Sequence, residues 1–113
     1  MAIKYTNKTD QEETVLFLES LRTIKRRPAM YFGKEYEYRQ LAAFIFGYLT
    51  GANLLEHDRE NTVAKIHQEV NHRLFMKYSE NNGALIPLMG REPFNDYFKI
   101  LDEVLDEYYP EYK

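Results

Sequence analysis

The chain has 113 residues, with 15 Lys and Arg against 18 Asp and Glu, three His, no Cys and a formal net charge of −3 at pH 7. A single domain over residues 1–113 is expected, because two cores cut from this length would each bury too little surface. Missing cysteine excludes disulfide frameworks, thiolate zinc sites and thiol nucleophiles, and the slight acidity lacks the basic excess of a typical nucleic-acid binder.

Residues 1–8 carry two Lys among polar residues where a signal peptide would need an apolar run. Thr9 with Glu12 three residues on is a capping-box pattern, and Val15, Phe17, Leu18, Leu21 and Ile24 follow at helical spacing. This first helix should stop near Arg26, since Pro28 pushes the residue before it out of helical geometry. Asp10, Glu12 and Glu13 in its first turn and Arg22, Lys25 and Arg26 in its last complement the macrodipole. Beyond Pro28, Met30 with Tyr31 or Phe32 is expected to dock into the core, and Gly33 to permit the turn into the next element.

A second helix is expected over residues 38–55, as the central element, with Leu41, Phe44, Ile45, Tyr48, Leu49 and Ala52 on one face. Ala43, Gly47 and Gly51 form a small-residue ridge. Each Gly costs a helix ~1 kcal/mol relative to Ala, which implies a compensating close contact with another helix or with residues 30–32. The apolar run at 41–49 is far shorter than the ~20 residues that span a bilayer, so a cytoplasmic protein is expected.

A third helix over residues 61–78 carries Val63, Ile66, Val70, Leu74 and Tyr78 on one stripe, and the cluster at 80–83 ends it. An apolar loop at 84–90, broken by Pro87, should lie over the core. The fourth helix begins near Pro93 and shows Phe94, Tyr97, Phe98, Leu101, Val104, Leu105 and Tyr108 at spacings of three and four until Pro110. The expected fold is all-α, a compact bundle of about four helices with an apolar loop between the third and fourth.

Chemistry-bearing patterns are sparse. His67 and His72 are five apart, a rotation of ~140° on a helix, whereas a helical zinc motif needs four and a Glu after the first His. Gln68 stands there, and the plain reading of His57, His67 and His72 is surface or boundary residues. Ser20 and Ser79 lie in no nucleophile elbow, and Gly33 and Gly83 are isolated rather than part of a phosphate loop. No catalytic residue, no cofactor and no metal site is expected, and the chain is read as a non-enzyme. A small helical enzyme would need a carboxylate with a strongly perturbed pKa facing a pocket.

Two charged features remain. Lys25, Arg26 and Arg27, with Tyr31 and Phe32 nearby, could grip phosphates and stack on bases, although cations at a helix C-terminus are also what the dipole favours. At the other end Asp96, Asp102, Glu103, Asp106, Glu107 and Glu111 interleave with Tyr97, Tyr108, Tyr109 and Tyr112. Asp102 with Asp106 and Glu103 with Glu107 are like-charge i,i+4 pairs, each unfavourable by ~0.2–0.5 kcal/mol. Asp106 and Glu107 also oppose the macrodipole at the helix end. A local stability loss at a Tyr-rich surface suits a cationic partner, unless Arg26 and Arg27 fold back to neutralise it.

The block Arg27-Pro28-Ala29-Met30-Tyr31-Phe32-Gly33 fits RPxMYxG, the helix reaching Phe44-Ile45-Phe46-Gly47-Tyr48 fits FxxGY, and Phe94, Phe98, Leu101, Leu105, Glu107 and Tyr108 follow in the order, though not the spacing, of an FxxFxxLLxEY-like helix. In this the chain resembles small bacterial immunity proteins of toxin systems, including contact-dependent inhibition. The resemblance implies a small cognate protein that binds and blocks a toxin domain. The first block also resembles a segment near the start of type II topoisomerase ATPase subunits. That fold needs a longer chain with an Asn magnesium ligand and Asp-x-Gly-x-Gly nucleotide motifs, which do not occur here.

The leading expectation is therefore a cytoplasmic immunity protein that occludes the active or substrate-binding surface of a toxin domain, possible targets including a nuclease with a basic groove. The toxin-binding residues expected are Asp102, Glu103, Asp106, Glu107, Tyr109 and Tyr112, with the turn at 35–39 and the loop at 84–90 as alternative surfaces. The alternative function is a nucleic-acid-binding or regulatory module using Lys25, Arg26 and Arg27.

Overall fold

Thr9 opens α1 (Asp10–Arg26): its hydroxyl accepts the Glu12 N–H at 3.1 Å, and the Glu12 carboxylate accepts the Thr9 N–H at 2.9 Å. This computed structural model describes residues 9–52, 61–82 and 90–113. Phe17, Leu18, Leu21 and Ile24 are the buried stripe of α1, as their spacing requires. The helix ends at Arg26, with the Arg27 N–H donating to the Thr23 carbonyl.

Pro28 does more than end α1. It is the first residue of a short helix, α2 (Pro28–Phe32), where a missing N–H costs nothing and the fixed φ suits a first turn. Gly33 closes α2 at φ +87°, in the region that favours glycine, and donates to the Ala29 carbonyl at 2.8 Å. The expected docking of this segment is realised by Phe32 alone, which is half-buried. Met30 is 71% exposed and Tyr31 51%.

α3 (Tyr38–Gly51) starts with the Glu37 N–H donating to the Gln40 side chain at 2.9 Å, while the Gln40 amide donates to the Phe32 carbonyl at 3.0 Å and ties α2 to α3. Tyr38, Leu41, Ile45 and Leu49 are its buried stripe. The ridge of Ala43, Gly47 and Gly51 faces solvent instead of seating a neighbour: a methyl added at Gly47 or Gly51 would meet nothing within 4 Å. Phe46, on the same outer side, is 65% exposed. The remainder of the expected second helix, residues 53–55, lies outside the described residues.

α4 (Thr62–Asn82) is capped by the Asn61 side chain, which accepts the Ala64 N–H at 2.7 Å, and it runs four residues beyond the expected end at Tyr78. Val63, Ile66, Val70 and Leu74 are fully buried. α5 (Arg91–Tyr108) buries Phe94, Tyr97, Phe98, Ile100, Leu101, Val104 and Leu105, and a 3-10 turn at Pro110–Tyr112 follows. Of the apolar loop expected at 84–90, residues 84–89 lie outside the described set, and Gly90 leads into α5 at φ +98°.

Among the described residues the fold is all-α, with no strand. α5 rather than α3 is the central helix: it packs along α4 and also against α3, while α1 packs on α4 and α2 on α1. Burying each of these large apolar side chains stabilises the fold by roughly 1.5–3 kcal/mol. No helix among the described residues is long and apolar enough to cross a membrane.

Candidate functional site

Because Phe94, Tyr97, Leu101, Val104 and Leu105 turn inward, helical spacing turns Asn95, Lys99, Asp102, Glu103 and Asp106 outward as one polar stripe. Asp102 and Glu103 are exposed and form no ion pair among the described residues. Asp106 is paired with the Lys113 ammonium at 2.8 Å, and that hydrogen bond, with the nearby Asp102 charge, holds the Lys113 pKa above its ordinary value. The pair is solvent-exposed on both sides, a type of contact that contributes little and exchanges readily.

Glu107 is held differently. Both carboxylate oxygens accept from Arg73 on α4, at 2.6 and 3.3 Å, and Arg73 Nε donates to Glu69 at 2.8 Å. The Arg73 hydrogen bond keeps the Glu107 carboxyl below the usual range, and Glu107 followed by Glu69 raises Arg73 in turn. The same guanidinium lies 5.9 Å from the centre of the Tyr108 ring. The alternative, neutralisation by Arg26 and Arg27, is not what the described residues show: Arg73 pairs with Glu107 and Lys113 with Asp106.

Tyr108, Tyr109 and Tyr112 form a continuous aromatic cluster, with centroid separations of 6.5 and 6.4 Å. Tyr109 and Tyr112 are half-buried, and the Tyr112 carbonyl accepts a hydrogen bond from Arg22 of α1, which anchors the terminal turn. Tyr108 is 59% exposed and is the ring best placed to meet a partner, although the residue set chosen from sequence omits it. The exposed Tyr108 and the bidentate Arg73 depend on how α4 and α5 align, which no local spacing reveals.

Two members of the terminal acid and Tyr group are withdrawn from the surface. Tyr97 is fully buried, with its hydroxyl 2.9 Å from His67 Nδ1; burial pushes the Tyr97 pKa up and the His67 pKa down. Asp96 is buried beside Lys77 and Tyr78, at 2.9 and 2.7 Å. Burial alone would raise the Asp96 pKa, but the hydrogen bonds from Tyr78 and Lys77 bring it below the ordinary value. An acid so held stays ionised near neutrality, which fits a structural pair rather than a proton donor. His72 is exposed, and no group of three or more His, Asp or Glu among the described residues could hold a metal ion.

The turn at 35–39 adjoins the start of α5. Tyr38 N–H donates to the Gly90 carbonyl at 2.9 Å, Gly90 N–H to the Glu37 carboxylate at 3.1 Å, and Arg91 to the Tyr36 and Lys34 carbonyls. The Arg91 guanidinium also stacks 3.4 Å above the Tyr36 ring. These bonds occupy the turn in holding α3 to α5. Residues 84–89 of the other alternative surface lie outside the described residues.

No protein-family model, curated protein or solved structure matches the chain.

Proposed function

We propose that the chain is an immunity protein that binds and neutralises a cognate bacterial toxin domain through the outer face of α5 and the terminal turn. The observation that carries the reading is the pairing of exposed Asp102 and Glu103, free of ion pairs among the described residues, with the Tyr108, Tyr109 and Tyr112 cluster at the same end of the helix. Unpaired carboxylates present a field that steers a basic surface into contact, and aromatic rings beside them supply the apolar anchor that holds it.

Asp106 belongs to this face as a carboxylate that can exchange Lys113 for a partner cation. Glu107 serves by fixing Arg73 and, through it, the setting of Tyr108; Tyr109 lies beside that ring and Tyr112 beside Tyr109. A nuclease substrate groove, basic by necessity, is the kind of surface this face complements. Co-expression tests the function: a toxin domain encoded immediately upstream should arrest growth alone and fail to arrest it when this chain is present. Growth arrest of equal severity with and without the chain would overturn the reading.

A further inference from the structure

The segment from Leu21 to Lys34 carries five cations, Arg22, Lys25, Arg26, Arg27 and Lys34, and no acid, in a chain whose net charge is negative. Arg22 is used to hold the terminal turn. The other four form no ion pair among the described residues, and Lys25, Arg26, Arg27 and Lys34 are all exposed. Beside them lies an open cavity of about 370 Å³ between α1, α2 and α3, lined by Ser20, Thr23, Ile24, Tyr31, Phe32 and Phe44.

This groove has a fixed shape. Gln40 bonds the Phe32 carbonyl and Gly33 bonds that of Ala29, so α2 presents Met30 and Tyr31 to solvent from a pinned helix. On α1 the groove wall is formed by Ser20, Thr23 and Ile24, over little more than one helical turn.

We propose that this groove docks an amphipathic, acid-bearing helix of a partner protein, its apolar face on Ile24, Phe32 and Phe44 and its carboxylates at the Arg26 and Arg27 end. An apolar floor between helices accepts side chains spaced i and i+3/i+4, and the exposed, unpaired Arg26 and Arg27 where α1 passes into α2 supply the complementary charge. The outer face of α5 does not supply such a helix, being polar from Arg91 to Glu107 with no exposed apolar residue before Tyr108. A nucleic-acid strand is matched less well, because the described lining of the groove carries no cation to track a phosphate backbone. The groove lining shares no residue with the acidic face of α5, whereas Lys25 lines a second hollow with Pro28, Lys99 and Asp102.

Selection of a displayed library of helical peptides on the full chain tests the proposal. Recovered peptides should combine an apolar helical stripe with Asp or Glu, and their affinity should fall at least about tenfold for Arg26→Glu/Arg27→Glu and for Met30→Ser/Tyr31→Ser. All four positions are exposed, so the variants should stay folded, the Arg26→Glu/Arg27→Glu pair melting a few degrees lower because it opposes the dipole of α1, and Asp102→Lys/Glu103→Lys should bind the peptides as before. No recovered peptide, peptides without acidic bias, or affinity indifferent to both groove variants would overturn it. So would salt-sensitive binding of a single-stranded oligonucleotide at this site in place of peptides, or a dimer in sedimentation that Met30→Ser/Tyr31→Ser dissociates.

Discussion

Arg73 on α4 and Glu107 on α5 are joined by two hydrogen bonds, the shorter at 2.6 Å, across 34 residues of sequence. The contact resolves an apparent flaw, since Glu107 in the last turn of α5 opposes the helix dipole and repels Glu103. Arg73→Ala should lower the melting temperature by a few degrees at low ionic strength, with the deficit narrowing in about 0.5 M salt, where the Debye length is only a few ångströms. A thermal melt at two salt concentrations checks it. Glu107 has a folded pKa below its ordinary 4.5, so its contribution is present above that value and is lost as pH falls through the lowered one.

His67 supplies a second pH dependence at milder acidity. Its folded pKa lies below 6.5 because burial disfavours the charged ring. The unfolded chain therefore takes up a proton on His67 as pH falls below 6.5 while the native chain does not, and stability declines until the folded pKa is reached. Thermal melts from pH 7.5 downwards should show this loss, and His67→Asn, which keeps a hydrogen-bonding group but does not titrate, should flatten it.

Tyr97→Phe removes the hydroxyl facing His67 Nδ1 without changing the ring that fills the core. Leaving a buried ring nitrogen unsatisfied costs about 1–3 kcal/mol, and chemical denaturation should report a loss of that order with an unchanged m-value.

Gly47→Ala should stabilise the protein by about 1 kcal/mol, because the helix gains Ala propensity and the added methyl meets nothing within 4 Å. A destabilised variant in chemical denaturation would show that Gly47 is packed against something.

The long helices were readable because each buries a stripe at spacings of three and four: Phe17, Leu18, Leu21 and Ile24 in α1, and Val63, Ile66, Val70 and Leu74 in α4. α2 was not, since five residues show no period and Pro28 signals a helix end and a helix start alike. The outward ridge of α3 was misjudged for a related reason: small residues permit close packing but do not require it, and the apolarity of that helix includes the exposed Phe46. At the terminal end, sequence located the acids and the Tyr residues but not their states. Burial of Asp96 and Tyr97, and the capture of Glu107 by Arg73, follow from the alignment of α4 on α5.

Calorimetric titration of the chain with a toxin domain that it neutralises on co-expression tests the binding face most directly. Asp102→Lys/Glu103→Lys should weaken binding at least about tenfold while leaving the melting temperature nearly unchanged, since neither side chain has an internal ion pair among the described residues to lose. Affinity equal to that of the parent chain would contradict the assignment of the α5 surface.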